Sequence, residues 1–526
     1  MLALLSQNLD LLMIGALCVG ILLGYPVIFT LAGTGILFGL LGAMLGVFNM
    51  PLLAALAPRV FSIMTNEILL AIPLFVLMGV ILERSRIAED LLEEMGKLFG
   101  SLRGGLAVSV VVVGMLLAAS TGIVGATVVT MALIAMPAML RNGYGKQLTS
   151  GVIASAGTLG QIIPPSTMLI ILSEVMSSGY QQAQFDMGKF TVETISVGDV
   201  FAAALLPGLC LVVIYILFIL GLAFFKPSAA PALPRDESLS AREAAVRIGK
   251  VLVPPVVLII AVLGSILGGI ATPTEAAAVG AVGALMLAAP RFLEGGSNLP
   301  FWASAAAIVG MLVLTSMVDL RTGRASSTVV EQVGIWVAGG LAVVAFWGIF
   351  VAFWRAGRAG VLKPVLSSTM IVTSMIFAMM IGASVFSLVF RGLGGDLRVE
   401  EFLTEMPGGE MGALLFVMAI VFLMGFFLDF VEISVIVLPI VVPILLAMGM
   451  DPIWLAVLIA INLQTSFLTP PFGFSLFYLR GAAPREVTTL DIYRGVIPFV
   501  ILQIVGMLVV FQVPGIATWL PSVLFD

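Results

Sequence analysis

Long apolar runs separated by short polar breaks set the pattern of this chain. A helix needs about 20 apolar residues to cross a bilayer. Spans are expected at 9–24, 26–47, 67–83, 148–178, 200–225, 250–270, 273–290, 300–320, 334–354, 364–390, 453–480 and 495–516. Two further apolar stretches, 104–140 and 411–450, fit less simply. Segment 51–64, with Pro51 and Pro58, is expected along the membrane surface. The longest polar loop, 226–250, carries Pro227, Pro231 and Pro234 and reads as a linker. No positive flank precedes the first apolar run, so a cleaved signal peptide is not expected.

Loop charge orients these spans. Arg84, Arg86, Lys97 and Arg103 put loop 84–103 inside. Lys226, Arg235, Arg242, Arg247 and Lys250 do the same for 226–250; Arg355, Arg358 and Lys363 for 355–363; Arg480, Arg485 and Arg494 for 480–494. The acidic loops 179–199 and 391–410 go outside, and Arg321 and Arg324 are the exception. Arg103 and Arg141 then lie on one side, with 104–140 between them. Two thin spans fit that, and so does a re-entrant hairpin; the centre, Ala118 to Thr127, is rich in Gly and hydroxyls, which favours the hairpin with its tip at membrane depth. Irregular backbone is tolerated there only against protein or a wet cavity. The stretch 411–450 repeats the argument from outside, with Asp429 and Glu432 near its centre.

Composition narrows the class. Hydrophobic residues make up 61% and charged residues 10%; mean hydropathy is +1.20. Soluble domains run at about 45–50% and 25%. A formal charge of −5 without a basic stripe excludes nucleic-acid binding. The chain has no His, and Cys18 and Cys210 lie in apolar runs, so His-dependent relays and a disulfide or Cys-metal framework are excluded. The expected fold is an all-α polytopic membrane protein with about 12 transmembrane helices and two re-entrant hairpins.

An internal repeat adds a site. Pro137 matches Pro443, Gly143 matches Gly449 and Pro164-Pro165 match Pro470-Pro471, each pair 306 positions apart. The charge map gives the two units opposite orientations, and each ends in a span interrupted by Pro-Pro. Inverted repeats with broken helices mark secondary transporters, with the binding site at the breaks. Proline lacks an N–H and disfavours helix in the residue before it, so each pair ends one half-helix. The second proline is expected in the first turn of the next. New N-termini offer N–H groups and partial positive charge to a carboxylate. Carbonyls and Ser/Thr hydroxyls suit a hard cation such as Na⁺.

Blander readings compete. A Pro-Pro break can be a plain kink. Asp429 can cap a helix at the hairpin turn, although an intramembrane carboxylate is a functional candidate by default. Ser120, Thr121 and Thr127 can bond back to helix carbonyls. Thr272-Pro273-Thr274-Glu275 reads as a capping box with Pro at the first helical position. Glu67 reads as a cap or interface residue, and Trp302, Trp336 and Trp354 as interfacial anchors. An intramembrane aspartyl enzyme needs two facing carboxylates, but Ile123 occupies the position matching Asp429. A proton-coupled transporter with Asp429 as carrier is the closer alternative.

These residues resemble the large membrane subunit of the tripartite ATP-independent periplasmic (TRAP) transporters. The resemblance runs through Ser120-Thr-Gly-Ile-Val-Gly-Ala-Thr127, Pro137-Ala-Met-Leu-Arg-Asn-Gly-Tyr144 and Ala156-Gly-Thr-Leu-Gly-Gln-Ile-Ile-Pro-Pro-Ser166. It continues in Gly269-Ile-Ala-Thr-Pro-Thr-Glu-Ala276, Gly425 to Asp429 and Thr469-Pro-Pro-Phe-Gly473. It implies Na⁺-coupled import of carboxylate-bearing organic anions across a bacterial inner membrane by an elevator motion. The implied partners are a small four-helix membrane subunit and a periplasmic substrate-binding protein. Coupling ions would lie at Ser120, Thr121, Gly125, Thr158 and Pro164, and at Gly425, Asp429, Thr465, Thr469 and Pro470. Substrate would meet Thr127, Ser166, Thr167 and Gly473. The chain then divides into 1–103 (scaffold and inner-surface arm), 104–178 (hairpin and broken helix), 179–290 (scaffold), 291–363 (an extra helix pair), 364–480 (second hairpin and broken helix) and 481–526 (last span). The extra pair resembles the longer subgroup named for mannitol and chloroaromatic compounds, also associated with 2-oxoacids and lactate.

Overall fold

The computed structural model describes residues 6–122, 124–233, 241–293, 297–321 and 328–525. It is helical throughout these residues. In chain order the helices are α1 (Leu9–Leu22), α2 (Val27–Met44), α3 (Leu56–Thr65), α4 (Ala71–Arg84), α5 (Ile87–Phe99), α6 (Gly105–Thr121), α7 (Val124–Arg141) and α8 (Lys146–Thr158). Next come α9 (Thr167–Asp186), α10 (Val197–Phe225), α11 (Ala241–Leu267), α12 (Pro273–Phe292), α13 (Leu299–Met317), α14 (Val329–Arg358) and α15 (Leu362–Gly392). The last are α16 (Gly395–Thr404), α17 (Gly409–Met424), α18 (Phe430–Ile436), α19 (Leu438–Ala447), α20 (Pro452–Leu468), α21 (Phe474–Ala482), α22 (Thr489–Gln512) and α23 (Gly515–Phe525).

Among the described residues, nine helices are long and apolar enough to cross a membrane, or ten with the α18–α19 pair, bent by 57°, counted as one. Eight of the twelve expected spans are among these nine, the ninth being the hairpin arm α7; the other four fall short because the proline pairs split two of them and α1 and α4 have only 14 residues each. Segment 391–410, read as a loop, contains α16 between left-handed Gly394 and Gly408. The chain after Gln512 turns at Pro514 into α23, which the apolar pattern did not separate from the last span.

Local chemistry sets the ends. The Thr272–Glu275 capping box forms as expected: Thr272 N donates to Glu275 Oε2 at 2.8 Å, and Glu275 N to Thr272 Oγ1 at 3.3 Å. Matching boxes open α10, α14 and α22. Gly143 (φ 78°) and Gly449 (φ 105°) follow α7 and α19, so repeat-related glycines both take the left-handed conformation that stops a helix.

Two packed groups result. In one, α4 lies on α12, α2 on α15, and α14 on α12 and α13. The extra pair α13–α14 is pinned by Ser304 Oγ donating to Val344 O at 2.9 Å. In the other group, α8 packs on α6, α7 and α22, and α20 on α17 and α22. Helix α10 packs on α6, α20, α22 and α23 of this second group and also on α11. An ion pair, Arg398 to Asp10 at 3.1 Å, holds the 391–410 segment against the start of the chain.

Candidate functional site

Both interrupted helices break where the prolines stand. Helix α8 ends at Thr158, a 3₁₀ turn covers Leu159–Gln161, and α9 restarts at Thr167. Helix α20 ends at Leu468 and α21 restarts at Phe474. Both Pro-Pro bonds are cis. The second prolines do not occupy the first helical turns, contrary to the sequence reading. Ser166 and Gly473, in extended or turn geometry, are the N-cap residues, and the prolines belong to the turn.

Each hairpin tip rests on the broken helix of its own repeat. Gly122, at φ 60°, passes so close that a Cβ there would stand 3.0 Å from Thr167 N. Thr167 Oγ1 donates to Gly122 O at 2.8 Å. In the second repeat, Ser466 Oγ donates to Phe422 O at 2.6 Å and Asn462 Nδ2 to Met418 O at 2.8 Å. A Cβ on Gly425 would stand 2.3 Å from Ser466 Oγ. The rings of Phe427 and Phe472 sit 5.5 Å apart, joining tip to break.

The second arms cross between repeats. Helix α7 packs on α21, and α19 packs on α9. Gly125 faces the Tyr478 ring at one crossing, and Gly179 faces Val442 at the other. This reciprocal exchange is the contact pattern of a two-fold related pair.

The named hydroxyls are back-bonded: Thr158 Oγ1 donates to Ser155 O at 2.9 Å, Thr465 Oγ1 to Ile461 O at 2.7 Å and Thr469 Oγ1 to Thr465 O at 2.7 Å. A hydroxyl donating this way still turns lone pairs outward. Ser120 and Thr121 lie at the end of α6, but their side chains, and all of Ile123, fall outside the described residues. Asp429 is a cap. Its Oδ1 accepts from Phe430 N at 2.8 Å, and Glu432 Oε2 accepts from Asp429 N at 3.0 Å, a capping box opening α18. That matches the blander reading.

The two breaks differ in access. Residues 158–168, including Ser166, Thr167 and Pro164, are buried, and so is Thr127 on α7. At the second break Gly473 is buried, but Pro471, Phe472 and Tyr478 are exposed. Sequence reading missed Gln161 and Gln464. Both are fully buried, with amide nitrogen and oxygen unpartnered among the described residues. Their signal was present, since each is a polar residue inside a break motif. Ser466 carried the same signal, and Tyr478 carried none. No group of three His, Cys, Asp or Glu is placed to hold a metal among the described residues, so oxygen atoms of carbonyls and hydroxyls are the donors these breaks offer a cation.

Paired hairpins, broken helices and a wholly helical apolar body define a class: a multi-pass membrane transporter. The chain belongs to the family described as tripartite ATP-independent periplasmic transporter, DctM component, whose model matches residues 14–320 and 296–516. The two matches overlap at 296–320, where α13 lies. Over 477 residues, 90% of each chain, it is 29% identical to the C4-dicarboxylate TRAP transporter large permease protein DctM of Vibrio cholerae. It is 24% identical to the ectoine TRAP transporter large permease protein TeaC of Halomonas elongata, covering 96% of this chain and 97% of that one. It is 26% identical to the 2,3-diketo-L-gulonate TRAP transporter large permease protein YiaN of Escherichia coli, covering 95% and 96%. Its fold is similar to that of the YdaH transporter of Alcanivorax borkumensis, with a TM-score of 0.53, 12% identity and 90% of each chain covered. The protein is an inner-membrane permease subunit, not an enzyme, and serves secondary transport of organic acids. Large subunits of this family work with a small membrane subunit and a periplasmic binding protein.

Proposed function

We propose that this subunit imports small carboxylate-bearing anions in symport with Na⁺, receiving them from a periplasmic binding protein and carrying them by an elevator motion of the hairpin-bearing group. The observation that carries this reading is the pairing of each hairpin tip with a broken helix rich in carbonyls and hydroxyls. Na⁺ needs several oxygen donors and no His or Cys. One ion would lie among Ser120, Thr121, Gly125, Thr158 and Pro164. The other would lie among Gly425, Asp429, Thr465, Thr469 and Pro470, with the Asp429 carboxylate supplying charge. The buried amides of Gln161 and Gln464 support this, because an unpartnered buried amide is costly unless a bound group completes it. A substrate carboxylate would meet the break-two N-terminus beside Gly473 first, since that break reaches the surface. Thr127, Ser166 and Thr167 would join it only if the first tip lifts. Loop charges place the 391–410 side outside.

The test is uptake into proteoliposomes holding this chain and its small subunit. Labelled 2-oxoacids, lactate, aromatic acids and C4-dicarboxylates are offered with and without an inward Na⁺ gradient and the binding protein. Uptake requiring both is the expected result. Uptake driven by a proton gradient in Na⁺-free buffer would overturn the ion assignment and favour Asp429 as a proton carrier.

A further inference from the structure

A cavity of about 370 Å³, lined by two arginines and a glutamate among apolar residues, lies between elements of the two packed groups. One wall is α3 and α15; the other is α9, α18 and α19. Arg59 and Arg391 both line it and lie within Coulombic reach of each other. Two guanidiniums on one cavity repel unless an anion sits between them. Glu174 lines the same space, yet it forms no ion pair with either; its Oε1 accepts from Asn66 Nδ2 at 2.9 Å. Arg391 Nη2 donates to Pro439 O at 3.2 Å, while its Nε is buried without a partner. Arg59 has no hydrogen bond or ion pair among the described residues. One carboxylate against two guanidiniums leaves the cavity net positive. Its volume lies at the small end of ligand pockets, about 300–1,000 Å³.

We propose that this cavity is a staging site for the substrate's carboxylate, gripped by Arg59 and Arg391 before the anion reaches the breaks. Arginine suits that role, because its fork meets a carboxylate through two parallel N–H bonds. The position also fits. Glu174 stands seven residues past Thr167, about 10 Å along α9 from the first break. The walls belong to different groups, so a sliding motion reshapes the cavity and releases its occupant. This proposal rests on the carboxylate-import reading and adds a second anion site to it.

The test reads charge directly. In the two-subunit complex, exposed Cys18 and Cys210 are replaced by Ser and a reporter is introduced as Ser387→Cys on the cavity wall. Labelling rates are compared for an anionic and a neutral methanethiosulfonate in phosphatidylcholine liposomes. The anionic reagent is expected to be favoured. Arg59→Gln should cut that preference about tenfold, the effect of one unit charge at about 7 Å and an effective dielectric near 40. Arg59 holds no bond, so this variant separates charge from folding. Millimolar succinate or 2-oxobutyrate should slow labelling, and Arg391→Lys should keep the charge preference while weakening that protection. A preference unchanged by Arg59→Gln overturns the proposal. So does protection by no acid of the panel, or blocking that requires phosphatidylglycerol, which would make the occupant a lipid headgroup. The same liposomes are assayed for Na⁺-driven uptake with the binding protein. Intact uptake beside failed labelling sinks only the staging site, whereas uptake of no acid sinks the import reading on which it rests.

Discussion

Gly125→Ala tests whether the two repeats brace each other. A methyl group there would stand 2.8 Å from Tyr478 Cζ, 2.9 Å from Cε2 and 3.1 Å from Cε1. Carbon atoms pack best at about 3.5–4.0 Å, so the ring or a helix must shift by most of an ångström. Helix α21 is anchored by buried Ser475, Leu476 and Leu479 and cannot retreat easily. The Tyr478 side is 45% exposed, so ring rotation relieves part of the clash. That puts the cost at the low end of overpacking, about 1–2 kcal/mol, or about 5- to 30-fold in an equilibrium constant. Thermal unfolding of the purified two-subunit complex and Na⁺-driven uptake should both decline. Tyr478→Ala in the same chain should restore stability relative to the sum of the single changes, giving a coupling energy of about 1 kcal/mol or more. If Gly125→Ala unfolds like the parent, or the double variant shows no coupling, α7 and α21 do not brace each other as described.

Three further outcomes follow from the same geometry. Asp429→Asn keeps a good N-cap but removes the charge, so the fold should survive while half-saturating Na⁺ for uptake rises about tenfold or more, by analogy with a lost charge-assisted contact; an unchanged Na⁺ titration would remove Asp429 from the ion site. Ser466→Ala deletes the donor to Phe422 O and should cost about 1–2 kcal/mol, with faster amide exchange confined to the second tip as its signature. The Thr488 cap holds Asp491 below its ordinary 3.8. A depressed carboxylate stabilises above its unfolded pKa and loses that contribution as pH falls through the lower folded value. The protection factor of the first-turn amides of α22, taken against the intrinsic exchange rate at each pH, should therefore fall below about pH 4 and hold steady between pH 5 and 8; Asp491→Asn should abolish the acid step.

Much of this architecture was legible because bilayer physics leaves few options. Long apolar runs became helices, and Pro164-Pro165 and Pro470-Pro471 broke their spans because proline has no N–H to continue them. The matched glycines Gly143 and Gly449 stop helices at equivalent places. The Thr272 capping box was readable because all its parts lie within four residues. Contacts distant in sequence were not readable. Nothing local to Tyr478 announces a glycine on another hairpin, and nothing in Arg59 or Arg391 announces a shared cavity. Asp429 shows the ambiguity inside a motif, for one carboxylate beside the second hairpin tip reads equally as a cap and as a charged site, and the structure uses it to cap α18.

The exchange of arms between repeats also orders biosynthesis. Helix α7 is complete at Arg141, but its brace α21 begins only at Phe474. At about 5–20 residues per second, the first hairpin waits roughly 20–70 s in the membrane with the Gly125 face uncovered. Helices α13 and α14 fall within that interval and lengthen it while packing away from the hairpin. A ribosome stalled shortly before residue 474 leaves a chain with most of its spans inserted and no assembled site. Assembly therefore waits on nine late residues, Phe474–Ala482, arriving against a hairpin made long before.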